Sequence, residues 1–146
     1  MTFVHATSVA LKAGARWHAV LLRGPSGAGK SDLALRLIDD GARLIADDQT
    51  HLAKKGHALI ASPPPALVGM IEVRGLGIVK LPRGRLIAAA PLALLVDLVR
   101  AEEVERMPEP ALETLQDVEL PQLALAPFEV STVAKLRLAL SRIAAA

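Results

Sequence analysis

The 146-residue chain carries 17 Lys and Arg against 15 Asp and Glu, is 52% hydrophobic and only 2% aromatic, and contains no cysteine. One domain, residues 1–146, with a core of Leu, Val, Ile and Ala suits that length, and the dispersed, nearly balanced charge and scarcity of base-stacking rings argue against a nucleic-acid surface. Without cysteine there is no disulfide, no thiolate metal site and no thiol nucleophile; the longest apolar stretch, Leu86–Val96, is too short for a bilayer and holds Pro91, and no signal-type segment opens the chain, so the expectation is a protein of the reducing cytoplasm with no membrane partner.

Taken in order, Phe3–Leu11 and Trp17–Leu22 read as two strands joined across Lys12–Arg16, with Gly14 in the turn and His5 near the start. The apolar run Ala19-Val20-Leu21-Leu22 leads into Gly24-Pro25-Ser26-Gly27-Ala28-Gly29-Lys30-Ser31, which satisfies the P-loop pattern G-x-x-x-x-G-K-[ST] at every required position. Helical spacing follows over Asp32–Asp40, with Leu33, Leu37 and Ile38 on one face and Gly41 at the stop. A strand before and a helix after are the context in which this loop turns its backbone N–H groups around phosphate oxygens, aided by the positive end of the helix. Lys30 then reaches the β/γ-phosphates, and the Ser31 hydroxyl binds Mg²⁺.

Arg43–Ala46 is a short buried strand ending in Asp47-Asp48, where a Walker-B-like acid belongs; an Asp pair at a strand end is also what a turn selects for local reasons. Thr50–Ala53 and His57–Ala61 form a hairpin about Lys55-Gly56, and Pro63–Pro65 ends regular structure. Met70–Val73, apolar except for Glu72, runs through Arg74-Gly75-Leu76-Gly77 into an extended Ile78–Leu81. Leu92–Leu98 is read as a strand, Ala101–Pro110 as a surface loop or short helix with Arg106 in it, and Val118–Leu125 as one edge strand broken by Pro121. A final helix starts at Pro127, with Val133, Leu136, Leu140 and Ile143 on its apolar face. His18, His51 and His57 have no metal-ligand spacing, and the absence of asparagine excludes both the guanine-reading Asn-Lys-x-Asp motif and the eukaryotic-type kinase loop.

His5, the P-loop, Leu44-Ile45-Ala46-Asp47-Asp48 and Ile71-Glu72-Val73-Arg74-Gly75-Leu76-Gly77-Ile78 occur in the order seen in the HPr kinase/phosphorylase family, and the last of these resembles that family's signature sequence. The resemblance runs from about His5 to Arg106. It implies an α/β P-loop kinase domain of the phosphoenolpyruvate carboxykinase-like type, a mixed sheet with flanking helices, assembled as a homo-oligomer, a hexamer. It also implies ATP, in some members pyrophosphate, with Mg²⁺ as donor, and a serine of HPr, the phosphocarrier of the sugar phosphotransferase system, as acceptor; many members also remove that phosphate by phosphorolysis. The near-immediate His5 is similar to a short form holding only the catalytic domain.

By the same resemblance Asp48 is the base that takes the serine proton, Asp47 assists it, Glu72 is a Mg²⁺ ligand, and His5 and Arg106 are catalytic. The chemistry asks for such groups: a hydroxyl attacking a γ-phosphate needs a carboxylate within hydrogen-bond reach, and a cation can stabilise the charge on the phosphoryl group. Glu72 in an apolar strand alternatively pairs with Arg74. Two other functions stay open. A small-molecule P-loop kinase would need an Arg-rich lid, for which only Arg83 and Arg85 stand close together; a nucleotide-sensing module would bind ATP without transfer. Where long members carry a Pro/Arg/Gly-rich stretch tied to dephosphorylation, Leu120–Pro127 has neither Arg nor Gly, so phosphorolysis is expected to be weak or absent.

Overall fold

Apolar side chains on both faces of one curled sheet turn most of the hydrophobic runs into strands. The computed structural model describes residues 2–145. Its elements are β1 (Thr2–Val4), β2 (Thr7–Ala13), β3 (Arg16–Arg23), α1 (Lys30–Asp39), β4 (Arg43–Ala46), β5 (Thr50–Lys55), β6 (Ala58–Ser62), β7 (Met70–Val73), β8 (Gly77–Lys80), β9 (Ala90–Leu98), β10 (Ala111–Leu115), β11 (Val118–Leu125) and α2 (Thr132–Ala145), with single 3₁₀ turns at Pro65–Leu67, Arg83–Arg85 and Ala101–Glu103. Nine strands form one sheet in the order β1-β5-β6-β9-β3-β2-β4, with β11 also paired to β9 and β10 outside it, while β7 and β8 make a separate hairpin. β9 is parallel to β3 and β11, and the other pairs are antiparallel, so the sheet is mixed and the fold is α/β with two helices, as expected.

Successive strand residues point to opposite faces. Val9, Val20, Leu22, Leu94 and Val96 meet Leu33 and Leu37 of α1 and Leu136 and Leu140 of α2 on one face. Ala10, Ala19, Leu21 and Leu95 meet Leu52, Leu59 and Leu120 on the other. Double-sided burial explains why β9 has no polar alternation. The C-terminal ends of β3, β9 and β11 share one sheet edge, and β4, two antiparallel steps from β3, ends there too. In open α/β sheets that edge is where ligands bind.

At the opposite end of α1, Gly41 takes φ 105° and its N–H bonds Ile38 O at 3.1 Å. Arg85 Nη1 donates to Ile38 O at 2.9 Å and Arg137 Nη2 to Asp40 O at 2.6 Å, so two cations cover the negative helix end. Arg85 is therefore occupied in capping and does not line the cleft described below.

Three expectations are corrected, and one strand is new. Phe3–Leu11 is two strands, because the chain bends at His5: β1 pairs with β5, whereas β2 pairs with β3 and β4. β11 is neither broken nor an edge, since its ladder with β9 begins at Gln122, just after Pro121, and β10 covers its other side. β10 itself was not expected: its turn uses Gln116 and Asp117, both at positive φ (46° and 65°), in place of the Asn-Gly or Asp-Gly that signals such a hairpin. Finally, α2 starts at Thr132 rather than Pro127; Thr132 Oγ1 donates to Ala126 O at 2.6 Å and closes the intervening turn.

Candidate active site

The phosphate loop leaves β3 at the shared sheet edge, and Gly27 and Gly29 adopt φ of 83° and 97°, a region that side chains with a Cβ rarely enter. Ala28 N–H closes back on Pro25 O at 3.0 Å, and the first helical bond of α1 runs from Leu33 N–H to Gly29 O at 2.9 Å. The loop thus delivers the unpaired N–H groups and positive end of α1 to one point, which suits an anion. Lys30 is buried, and its Nζ donates to Gly24 O at 2.6 Å and Pro25 O at 3.0 Å. The ammonium is therefore folded onto the loop that it would share with a phosphate.

β4 brings Asp47 to the same place. Asp47 Oδ1 accepts from Ser31 Oγ at 2.7 Å and Thr7 Oγ1 at 2.9 Å, and Oδ2 accepts from Glu72 N–H at 2.9 Å. One buried carboxylate thereby ties the phosphate loop, β2 and β7 together. Asp48 follows at φ 67°, a conformation that Asp tolerates better than most residues. Its N–H donates to Thr7 Oγ1 at 3.2 Å, and its exposed carboxylate Oδ1 lies 3.4 Å from His5 Nε2. The bend that separates β1 from β2 is what places His5 there.

The β7–β8 hairpin forms the facing wall of a cleft of ≈ 660 Å³, whose lining includes Lys30, Ser31, Asp48, Glu72 and Arg74. Glu72 is exposed on β7, opposite Ile78 of β8, and makes no ion pair with Arg74 among the described residues. Its position in the strand is thus solvated, and the burial argument for a compensating cation does not apply. Arg106 is exposed on the loop after β9, which leaves the same sheet edge, and does not line the cleft.

The family model of the HPr serine kinase C-terminal domain matches residues 8–136. The chain belongs to this family. The HPr kinase/phosphorylase of Geobacillus thermodenitrificans is 33% identical over 115 residues, which cover 73% of this chain and 37% of that protein. The HPr kinase/phosphorylase of Clostridium tetani is 49% identical over 63 residues, 43% of this chain and 21% of the relative. The chain thus spans well under half the length of the curated relatives that it matches. A solved structure of the Hpr(Ser) kinase/phosphatase from Coxiella burnetii superposes with a TM-score of 0.81 at 25% identity, covering 97% of this chain and 89% of that one.

Among the described residues no three His, Asp or Glu side chains converge to hold a metal by themselves. The donors at the loop, Ser31 Oγ and the Asp47 carboxylate with Glu72 on the adjoining wall, are all oxygens. That set fits a hard divalent cation, which needs only one or two carboxylates when substrate phosphates and water complete its shell.

Several residues at the site escaped the sequence. Thr7 gave no signal, being with Ser8 one of two small hydroxyl residues in an otherwise mostly apolar strand, yet it bonds both members of the Asp pair. Arg23, just before the loop, clamps Asp97 at 2.7 Å through Nε and Glu113 at 2.6 Å through Nη1, and Gln122 Nε2 reaches Asp97 Oδ2 at 2.6 Å. Those hydrogen bonds from Arg23 hold the Glu113 carboxyl below its ordinary range, against the opposing effect of partial burial. The spacing of these partners, far apart in sequence, follows only from the strand order.

Proposed function

We propose that this domain is a protein-serine kinase that moves the γ-phosphoryl group of ATP, with Mg²⁺, to a serine of HPr. The observation that carries the reading is the bond between Ser31 Oγ and Asp47 Oδ1 with Asp48 beside it in the same cleft, since phosphoryl transfer needs a phosphate cradle and a proton acceptor at one point. The family membership and the relatives' names support the choice of HPr.

In this mechanism Lys30 Nζ exchanges Gly24 O and Pro25 O for phosphate oxygens, and the loop N–H groups fix the donor in line with the acceptor. Asp48 takes the proton of the serine hydroxyl on a carboxylate oxygen, and His5 at 3.4 Å orients that carboxylate. Ser31, Asp47 and Glu72 are the residues that would hold Mg²⁺, which would supply positive charge to offset that of the phosphates. Arg106 would come to the transferring group from the loop after β9. Among the described residues Lys30 and Arg74 are the cations of the cleft wall, which weighs against a small-molecule kinase with an arginine lid.

The domain works in the cytoplasm as a homo-oligomer, with a hexamer proposed from the family resemblance; light scattering is the measurement that would test it. The kinase reading is tested by incubating the protein with γ-labelled ATP and Mg²⁺ and either HPr or a panel of metabolites. Label on HPr alone supports it. Label on a metabolite, or ATP bound with no label transferred, overturns it.

A further inference from the structure

The chain holds only two Phe, one Trp and no Tyr. Phe3 stacks on His51 with ring centroids 4.7 Å apart, and the Trp17 ring receives Lys12 and Arg43 at 6.0 and 4.8 Å. Phe128 has neither kind of partner among the described residues. It is 69% exposed and yet lines the cleft with Lys30, Ser31, Asp32 and Leu35.

The ring is not loosely placed. It lies so close to Gly29 that a Cβ added there would sit 2.7 Å from Phe128 Cζ and 3.2 Å from Pro127 Cβ. On one side of Phe128, Arg36 Nη2 donates to Pro127 O, and Arg36 is itself held by Asp32 at 3.0 Å. On the other, Thr132 N–H bonds Glu129 O at 3.2 Å and Thr132 Oγ1 bonds Ala126 O. Bonds on both flanks of Phe128 pre-organise an apolar ring at the rim of an anion cradle.

We infer that Phe128 is the platform on which the base of the phosphate donor stacks, with Leu35, one turn along α1 from Ser31, as the apolar wall beside it. The inference rests on the nucleotide-donor reading above. An aromatic face is a general partner for a base, because every base has a π-face, and an exposed one gains most when a base covers it. Stacking discriminates poorly between purines, so ATP and GTP are expected to bind alike at this position.

The test separates the base from the phosphates. Binding of ATP and of inorganic tripolyphosphate, each with Mg²⁺, is measured calorimetrically for the wild-type domain, Phe128→Ala and Phe128→Trp. The expected result is ATP binding roughly tenfold weaker in Phe128→Ala, near wild type in Phe128→Trp, and tripolyphosphate binding unchanged in all three. Equal weakening of both ligands in Phe128→Ala would mean that the ring only braces Gly29, and unchanged ATP binding would mean that it touches no base; either overturns the platform and leaves the phosphate loop intact. A wild-type domain that binds neither ligand overturns the phosphate-loop reading and the platform with it.

Discussion

Ser31 Oγ donates to Asp47 Oδ1 across 2.7 Å, so the hydroxyl of the phosphate loop and the acid at the end of β4 meet in the protein before any ligand is considered. The same carboxylate also accepts Thr7 Oγ1 and Glu72 N–H, and Asp47 is therefore both a member of the site and a structural tie. Its neighbour Asp48 is exposed and bears no such load.

That contrast gives the first prediction. Asp47→Ala leaves three donors without their acceptor, one of them on the buried Thr7, and should destabilise the domain by about 2–4 kcal/mol as well as stop transfer. Asp48→Asn keeps the shape and suits the positive φ, so it should leave stability unchanged while slowing serine phosphorylation by roughly 10²-fold or more. Urea unfolding and single-turnover transfer measured on both variants check this; equal stability losses would contradict it.

Lys30→Ala should abolish transfer with little change in melting temperature, because among the described residues Lys30 Nζ bonds only Gly24 O and Pro25 O of its own loop. Retention of wild-type turnover would remove the loop from the mechanism.

Glu72→Gln should raise the Mg²⁺ concentration that gives half-maximal activity, since it deletes an anionic oxygen from the cleft wall. Glu72 is exposed and free of an ion pair with Arg74 among the described residues, so the fold is expected to tolerate the change. An unaltered Mg²⁺ titration would take Glu72 out of the metal's shell.

The acid limb of stability reports on the clamp beside the loop. The Glu113 carboxyl is held below its ordinary value mainly by hydrogen bonds from Arg23, so its contribution is fully present above the unfolded carboxyl value and disappears as pH falls through the lower folded one. Stability should therefore decline below about pH 4.5, and Glu113→Gln should flatten that decline. Denaturant unfolding at stepped pH measures it; identical slopes in the two proteins would show that the pair is screened into insignificance.

Phosphorolysis of serine-phosphorylated HPr is expected to be weak, because a second anion must be held behind the phosphoserine and donors are scarce. Leu120–Leu125 lies in β11, and Gln122, the polar side chain in it, already donates to Asp97. Pyrophosphate release from phosphoserine-HPr, Mg²⁺ and millimolar phosphate checks this; a rate near that of the kinase reaction would show that the stretch is dispensable.

Much of this site was legible in the sequence, because a phosphate loop needs its glycines, lysine and serine at fixed spacing and because Asp47-Asp48 ends a short apolar strand. What stayed hidden depends on contacts between distant segments. Thr7 meets Asp47 only because β2 lies beside β4, and Phe128 meets Gly29 only because β11 runs parallel to β9. The β10–β11 hairpin carries no local signal because Gln116 and Asp117 make a turn that usually calls for Asn-Gly or Asp-Gly, and Pro121 does not break β11 because the ladder with β9 starts one residue later, which nothing local shows.

The central claim, that the loop, Asp47 and Asp48 form one site for serine phosphorylation, is tested most directly by following γ-labelled ATP into HPr with wild-type domain, Asp48→Asn, and HPr whose acceptor serine is replaced by alanine. The account predicts label on that serine with the wild-type domain, a rate at least about 10²-fold lower with Asp48→Asn at undiminished ATP binding, and no label on the alanine form. Transfer by Asp48→Asn at the wild-type rate, or label on HPr without its serine, would contradict it.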